Sequence, residues 1–297
     1  VAVTPSALSA APSNSAVPAR KAKPKAVACV AHGAGAVKEL PNTTWLIASN
    51  YPTPFARAGH EMAAFSNRIY LFGGYCDSSY APTAALMREL GIQSVIHRTS
   101  HMLYFNLIYE YTCDTRDWRL VPFAEPRETP QYRAQPHDLT APSPRRHCSM
   151  VVYRASLYIL GGFDVNDQAL GDLWEFRLDT RIWSRIVPVR PGTRNEMQDD
   201  AAEPCLPPAA RAEHTAVVHD GRMIFFGGYD GQRKLNDCCV FISRETSGAR
   251  RKECDAGPPS RRCKHTAAVY KDTMCILGGF QIIYGDNYAM TDMYVRA

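Results

Sequence analysis

Residues 222–233 read RMIFFGGYDGQR: an apolar, β-favouring run that ends in two glycines, an aromatic residue and a turn. A glycine pair is a poor strand former, but it permits positive φ and the close approach of another backbone, so it suits a strand end where chain meets chain. The pair recurs as Gly73-Gly74, Gly161-Gly162, Gly227-Gly228 and Gly278-Gly279, followed in turn by Tyr75, Phe163, Tyr229 and Phe280. Sixteen residues before the first glycine of each pair stands an arginine: Arg57, Arg145, Arg211 and Arg262. Three residues after the arginine come His60, His214 and His265, while the second unit has Cys148 there and His147 one place early. Four identical spacings make an internal repeat. The arginines lie 88, 66 and 51 residues apart, so a search at one fixed period would miss it.

Between the histidine position and the glycines, two apolar segments flank a polar turn, as in TAVVHDGRMIFF and TAAVYKDTMCIL. Turn residues such as Asp220-Gly221 between β-rich runs are hairpin signals. After the glycines come a polar loop and a third run: LIYEYTCDTRDW, DLWEFRLDTRIW, DCCVFIS and DMYVRA. Trp118 and Trp183 open a fourth run in the first two units. Each unit reads as a sheet of four short strands, and the fold class is all-β. On such a strand the neighbours Cys238 and Cys239 face opposite sides.

The glycine pair with its aromatic, the strand DLWEFRLDTRIW and the Arg-x-x-His lead-in resemble the kelch repeat family, whose units are the blades of a β-propeller. The likeness covers residues 45–297, and RRCKHTAAVYKD and NDCCVF are similar to the variety found in host cell factor and in leucine-zipper-like ubiquitin ligase adaptors. The third unit departs from the pattern, since no Trp follows FISRETSGARRKECDAG. The resemblance implies a kelch-type propeller over residues 42–297, with four recognisable blades near 57–118, 145–186, 211–245 and 262–297, as part of a six- or seven-bladed ring. Upstream, NTTWLIAS reads as a further strand carrying Trp45. It either closes the last blade of a four-bladed ring or finishes a blade outside this sequence.

Residues 1–41 are rich in Ala, Pro, Ser and Lys without periodicity, and a tail of that composition is expected to be disordered. It also explains the charge. Of the net +5, the tail holds Arg20, Lys21, Lys23, Lys25 and Lys38 against Glu39 alone, so the remainder is nearly neutral and presents no general surface for nucleic acid. The cluster ARKAKPKA reads as a solvated tail, with nuclear import as the alternative, and the compartment expected is cytoplasmic. Ten scattered cysteines, several inside apolar strands, read as buried thiols rather than disulfides or a zinc site. No apolar run approaches a membrane span. Long connections at 121–144 and 187–208, and an insertion between Cys76 and Leu103 with a short helix from about Ala84 to Leu90, read as loops outside the sheets.

No G-x-S-x-G, phosphate-binding loop or H-E-x-x-H is present. A histidine repeated in successive units points to blade packing, not to one active site. The four arginines either pair with acidic loop residues or recognise an acidic partner, and are carried as candidate partner-binding residues. Beyond the glycine pairs, Asp77, Asp164, Asn166, Asp230, Arg233, Gln281 and Tyr284 are the recognition candidates, whereas the aromatics directly after the glycines either bind or pack on the neighbouring blade. Trp45, Trp118, Trp183 and the glycines are structural. The reading is a non-catalytic adaptor that holds a protein segment at one face, with no cofactor or metal. The kelch family also contains metal-dependent oxidases and specifier proteins, and regulatory propellers of larger proteins, which stand as the alternatives.

Overall fold

The computed structural model describes residues 54–80, 94–96, 101–122, 141–186, 208–242, 259–283 and 286–296, all within the compact unit Ile47–Ala297. The tail, the Trp45 strand, the helix read at 84–90 and Tyr284 lie outside them. The described residues are strands and turns, with one 3-10 turn at Ser78–Tyr80.

The first unit contains β1 (Ala58–Phe65), β2 (Arg68–Asp77), β3 (Ser94–Ile96), β4 (Met102–Phe105), β5 (Ile108–Thr112) and β6 (Asp117–Val121). They form one six-stranded sheet, because the insertion contributes the hairpin β3–β4, which pairs with the far end of β2 at Tyr75–Tyr104. The second unit is the expected four-stranded sheet, with β7 (Ser149–Tyr153), β8 (Ser156–Leu160), β9 (Leu173–Arg177) and β10 (Trp183–Ile186) in sequence order. The third has three strands among the described residues: β11 (Thr215–His219), β12 (Arg222–Tyr229) and β13 (Lys234–Ile242). The fourth pairs β14 (Thr266–Tyr270), β15 (Thr273–Leu277) and β18 (Met293–Arg296), and a separate ribbon of β16 (Phe280–Ile283) and β17 (Asp286–Ala289) rises after its glycine pair. Among the described residues, the second unit shows the four strands, the first shows its four with the hairpin added, and the third and fourth show three each in the blade sheet.

Hairpins between the first two strands are two-residue turns. Asp220 and Gly221 have φ of 46° and 67°, the left-handed pair that a type I′ turn requires. Arg154 and Ala155 adopt the same turn, at 48° and 58°, without a glycine. That turn is invisible to a search for turn residues and costs on the order of 1–2 kcal/mol per non-glycine residue.

The first strands β1, β7, β11 and β14 pack against one another in series, so the sheets follow each other as propeller blades. The apolar cores lie between blades. Tyr70, Phe72 and Ile108 of the first blade pack on Ile159, Trp174, Phe176 and Trp183 of the second. Tyr158 and Leu160 of the second meet Met223, Phe225 and Phe241 of the third, and Phe226 of the third meets Met274 and Ile276 of the fourth. Each such buried side chain stabilises by about 1.5–3 kcal/mol. Cys239 faces the second blade and Cys238 the fourth, as their alternation on the strand requires. None of the seven cysteines among the described residues is in a disulfide.

The glycine pairs are where blades are stitched together. The amides of Gly74, Gly162 and Gly228 donate to the carbonyls of Arg145, Arg211 and Arg262 of the following blade, each at 2.9 Å. A second run joins residues two places after each arginine: His147 donates to Gly59, Glu213 to His147 and Lys264 to Glu213, at 2.8–2.9 Å. The histidines add a third link. Ser149 Oγ shares a 2.7 Å hydrogen bond with His214 Nε2, and Thr215 Oγ1 a 2.8 Å bond with His265 Nε2, so each histidine is bound by the blade before it.

Candidate functional site

The repeated arginines are the least accessible part of the lead-in. Arg145, Arg211 and Arg262 are 0% exposed. Each guanidinium donates to the carbonyl of the first glycine in its own blade, Gly161, Gly227 or Gly278, at 2.9–3.0 Å, which accounts for the sixteen-residue spacing. Each also makes a two-pronged pair with an aspartate of the third strand or immediately before it: Asp172 at 2.7 and 2.8 Å, Asp237 at 2.9 and 2.7 Å, Asp292 at 2.8 and 2.9 Å. Burial acts to raise the Asp172 carboxyl, but hydrogen bonds and charge from Arg145 hold it below the ordinary range. A partner-binding role for Arg145, Arg211 and Arg262 is corrected by this burial: they pin sheet to strand and offer no surface to a ligand.

Arg57 is the exception. It bonds the carbonyls of Phe55 and Gly73 at 3.0 Å, but Leu107 occupies the place of the aspartate. Its guanidinium instead lies over Phe105 and Tyr109, at 4.4 and 5.1 Å from the ring centres, with Nη2 buried and no hydrogen-bond partner for that atom among the described residues. Burial lowers its pKa. It too faces inward, so the partner-binding assignment is corrected here as well.

The next residue along makes the surface. Arg146 lies between Tyr75 and Phe163, 5.6 and 4.9 Å from their ring centres, and donates to Asp167 at 2.6 Å. Phe163 meets Tyr229 edge to face at 6.3 Å. Beside them opens a cavity of about 610 Å³. Blade two lines it with Arg146, Phe163 and Asp167, and blade three with Glu213, Tyr229, Gly231 and Lys234. Blade four adds Cys263, Lys264, Phe280 and Ile282, with Asn287 from β17. The volume is that of a small-ligand or side-chain pocket.

Its charges do not cancel. Arg146 is paired with Asp167, and Lys264 sits 3.4 Å from Glu213. Lys234 is 7% exposed, and its Nζ donates to the neutral Asn287 Oδ1 at 2.6 Å. Among the described residues, the cavity therefore holds a buried ammonium bonded to an amide rather than an acid. Burial and then Glu213 push the Cys263 thiol up to about 12, which disfavours its thiolate form. Among the described residues no three of His, Cys, Asp and Glu are grouped to hold a metal ion, and no helix is long and apolar enough to cross a membrane.

Residues 97–296 match the KLHDC2/KLHL20/DRC7 Kelch-repeats domain. The chain belongs to the kelch repeat family. Among kelch relatives, it is 28% identical over 147 residues to the leucine-zipper-like transcriptional regulator 1 homolog of Drosophila melanogaster, covering 47% of this chain and 13% of that protein. It is 25% identical over 278 residues to the host cell factor homolog hcf-1 of Caenorhabditis elegans, covering 78% and 32%. With kelch domain-containing protein 3 of Bos taurus it shares 24% over 242 residues, covering 80% and 52%. The chain spans 13% to 52% of the length of these kelch proteins.

Against this kelch scaffold the loop candidates divide. Asp77, Asp164 and Asp230 close their own turns, accepting from the amides of Ser79, of Asn166 and Gln168, and of Gln232 and Arg233. Asn166 and Arg233 are exposed and Gln281 is half-buried; none of the three lines the cavity, and Tyr284 lies outside the described residues. Trp183 is buried among Phe72, Trp174 and Phe176, and Trp118 packs on Tyr111 in a tilted pair. Sequence reasoning missed Arg146, Glu213, Lys234 and Lys264. A signal for Arg146 existed in the doublet Arg145-Arg146, since the other units carry Ala58, Ala212 and Cys263 there.

Proposed function

We propose that this chain is a non-catalytic protein-interaction module whose cavity between blades two, three and four holds a segment of a partner protein. Lys234 carries the reading. A buried ammonium whose partner among the described residues is an amide is completed by an acidic side chain from outside, and a charge-assisted hydrogen bond of that kind contributes about 1.5–3 kcal/mol. Phe163, Tyr229 and Phe280 supply the apolar walls, and aromatic and arginine side chains gain most from desolvation at an interface. The segment is thus an acidic residue beside an apolar one. Kelch membership supports partner binding as the role, that of a scaffold or adaptor in the cytoplasm or nucleus. As a second reading, the small share of the longer relatives that this chain matches favours a regulatory propeller within a larger protein.

The test is fluorescence anisotropy of the full chain with peptides that pair an acidic and an apolar residue, against the same peptides with the acid made amide. The acidic forms are expected to bind, with Lys234→Met weakening them by about tenfold or more. Equal binding of acid and amide peptides would sink the reading.

A further inference from the structure

Arg145 and Arg146 hold their acids in opposite ways. Arg145 is wholly buried, and Asp172 meets it with both oxygens while also accepting from Trp174 Nε1 at 2.6 Å. Arg146 lies over the Tyr75 and Phe163 rings, and Tyr104 of the insertion hairpin stacks on Tyr75 at 5.8 Å, so aromatic side chains of two blades fix the guanidinium independently of its charge partner. That partner is held loosely. Asp167 reaches Arg146 with one oxygen, Oδ1, and its side chain is 63% exposed against 19% for Arg146. Among the described residues this is the only bond of the Asp167 carboxylate, and an ion pair so exposed is weak.

The loop that carries Asp167 does not depend on the pair. Asp164 closes it by accepting from the Asn166 and Gln168 amides, and Phe163 bridges to Ala169 across its base. The carboxylate can therefore leave Arg146 while the backbone stays in place. Its departure changes the charge of the cavity. Lys264 keeps Glu213, whose side chain is 11% exposed, but Arg146 and Lys234 then both face the cavity without an acid among the described residues. A chain of neighbours links these two cations: Arg146 over Phe163, Phe163 edge to face with Tyr229, and Tyr229 opposite Lys234 in the register of β12 and β13. Two positive groups thus flank an apolar floor.

We propose that Arg146 is a second anchor for an acidic group of the partner segment and that Asp167 is its built-in competitor, occupying Arg146 until a partner carboxylate displaces it. The inference rests on the reading of the cavity as the site of an acidic segment and extends it: the segment carries two acids, one on each side of its apolar residue. Arg146 needs no reorganisation to receive the second, since the rings already hold it. Asp167 sets the selectivity, because a segment with one acid gains nothing from displacing it.

Fluorescence anisotropy of the full chain tests this with three peptides of one length: one with a single acidic residue beside an apolar one, one with a second acidic residue on the other side of the apolar residue, and one with both acids made amides. The second acid is expected to tighten binding to the wild type, and Arg146→Met to abolish that gain without moving the single-acid peptide. Asp167→Asn should tighten the two-acid peptide by about two- to fivefold and leave melting unchanged, since the side chain is exposed. Added to Arg146→Met, it should have no effect. No tightening, or a tightening that survives Arg146→Met and so reflects the net charge of the cavity alone, overturns the proposal and leaves the reading of the cavity intact. Single-acid and amide peptides that bind the wild type alike overturn that reading, and this inference with it.

Discussion

Arg211 and Asp237 form a two-pronged ion pair at 2.9 and 2.7 Å, in which the guanidinium is wholly buried and also holds the Gly227 and Ala209 carbonyls. Removing one partner of such a pair strands the other charge, whereas removing both does not. Arg211→Met is expected to cost about 3–5 kcal/mol, and Arg211→Met with Asp237→Leu distinctly less. Urea denaturation of both variants checks this; a double variant as unstable as the single one contradicts it.

The joint at Gly161 makes a sharper demand. A Cβ built there would stand 2.2 Å from the Arg211 carbonyl oxygen, with φ at +63°. Gly231 has φ at +98° and nothing within 4 Å of the same atom. Gly231→Ala is expected to cost only backbone strain, about 1–3 kcal/mol, and Gly161→Ala clearly more, because two blades must separate. Melting temperatures that fall equally would show that the close approach is unimportant.

Leu107 in place of an aspartate leaves Arg57 without its acid. Leu107→Asp loses apolar burial but supplies the missing carboxylate, so its cost depends on Arg57. In a double-mutant cycle with Arg57→Met, a favourable coupling of about 1–3 kcal/mol is expected. Additive effects would mean that the ring contacts of Phe105 and Tyr109 already satisfy the guanidinium.

The histidine links set a pH response. Burial, then Arg211 and Arg262, hold His214 and His265 at about 3 and about 4. The unfolded chain takes up these protons first, so stability is lost as pH falls from about 6.5 towards 4. Glu61 acts in the opposite sense. It occupies the place of Ser149 and Thr215 but faces Cys148 instead of a histidine, and burial pushes it up to about 7. The folded state keeps that proton, so stability is lost as pH rises from about 4.5 to about 7. Glu61→Gln removes the opposing contribution. Between about pH 5 and 6.5 its stability should rise with pH more steeply than the wild type's, by up to about 1.4 kcal/mol per pH unit. Parallel profiles from urea midpoints would refute the assignment.

The repeat is written in the sequence alone. The sixteen-residue interval from arginine to glycine is a covalent distance that a side chain closes onto a carbonyl, so it survives where loop lengths vary, and it marks the blades. The doubled glycines were legible for the same reason, as places where no Cβ fits. Tertiary structure alone decided which arginine is a pin and which meets solvent. Arg145 and Arg146 are adjacent and chemically identical, but alternation along the backbone sends one under Asp172 and the other between Tyr75 and Phe163. Lys234, Glu213 and Lys264 were likewise unreadable as a group. They come from separate positions in two blades, and only the packing of one sheet on the next brings them to one cavity.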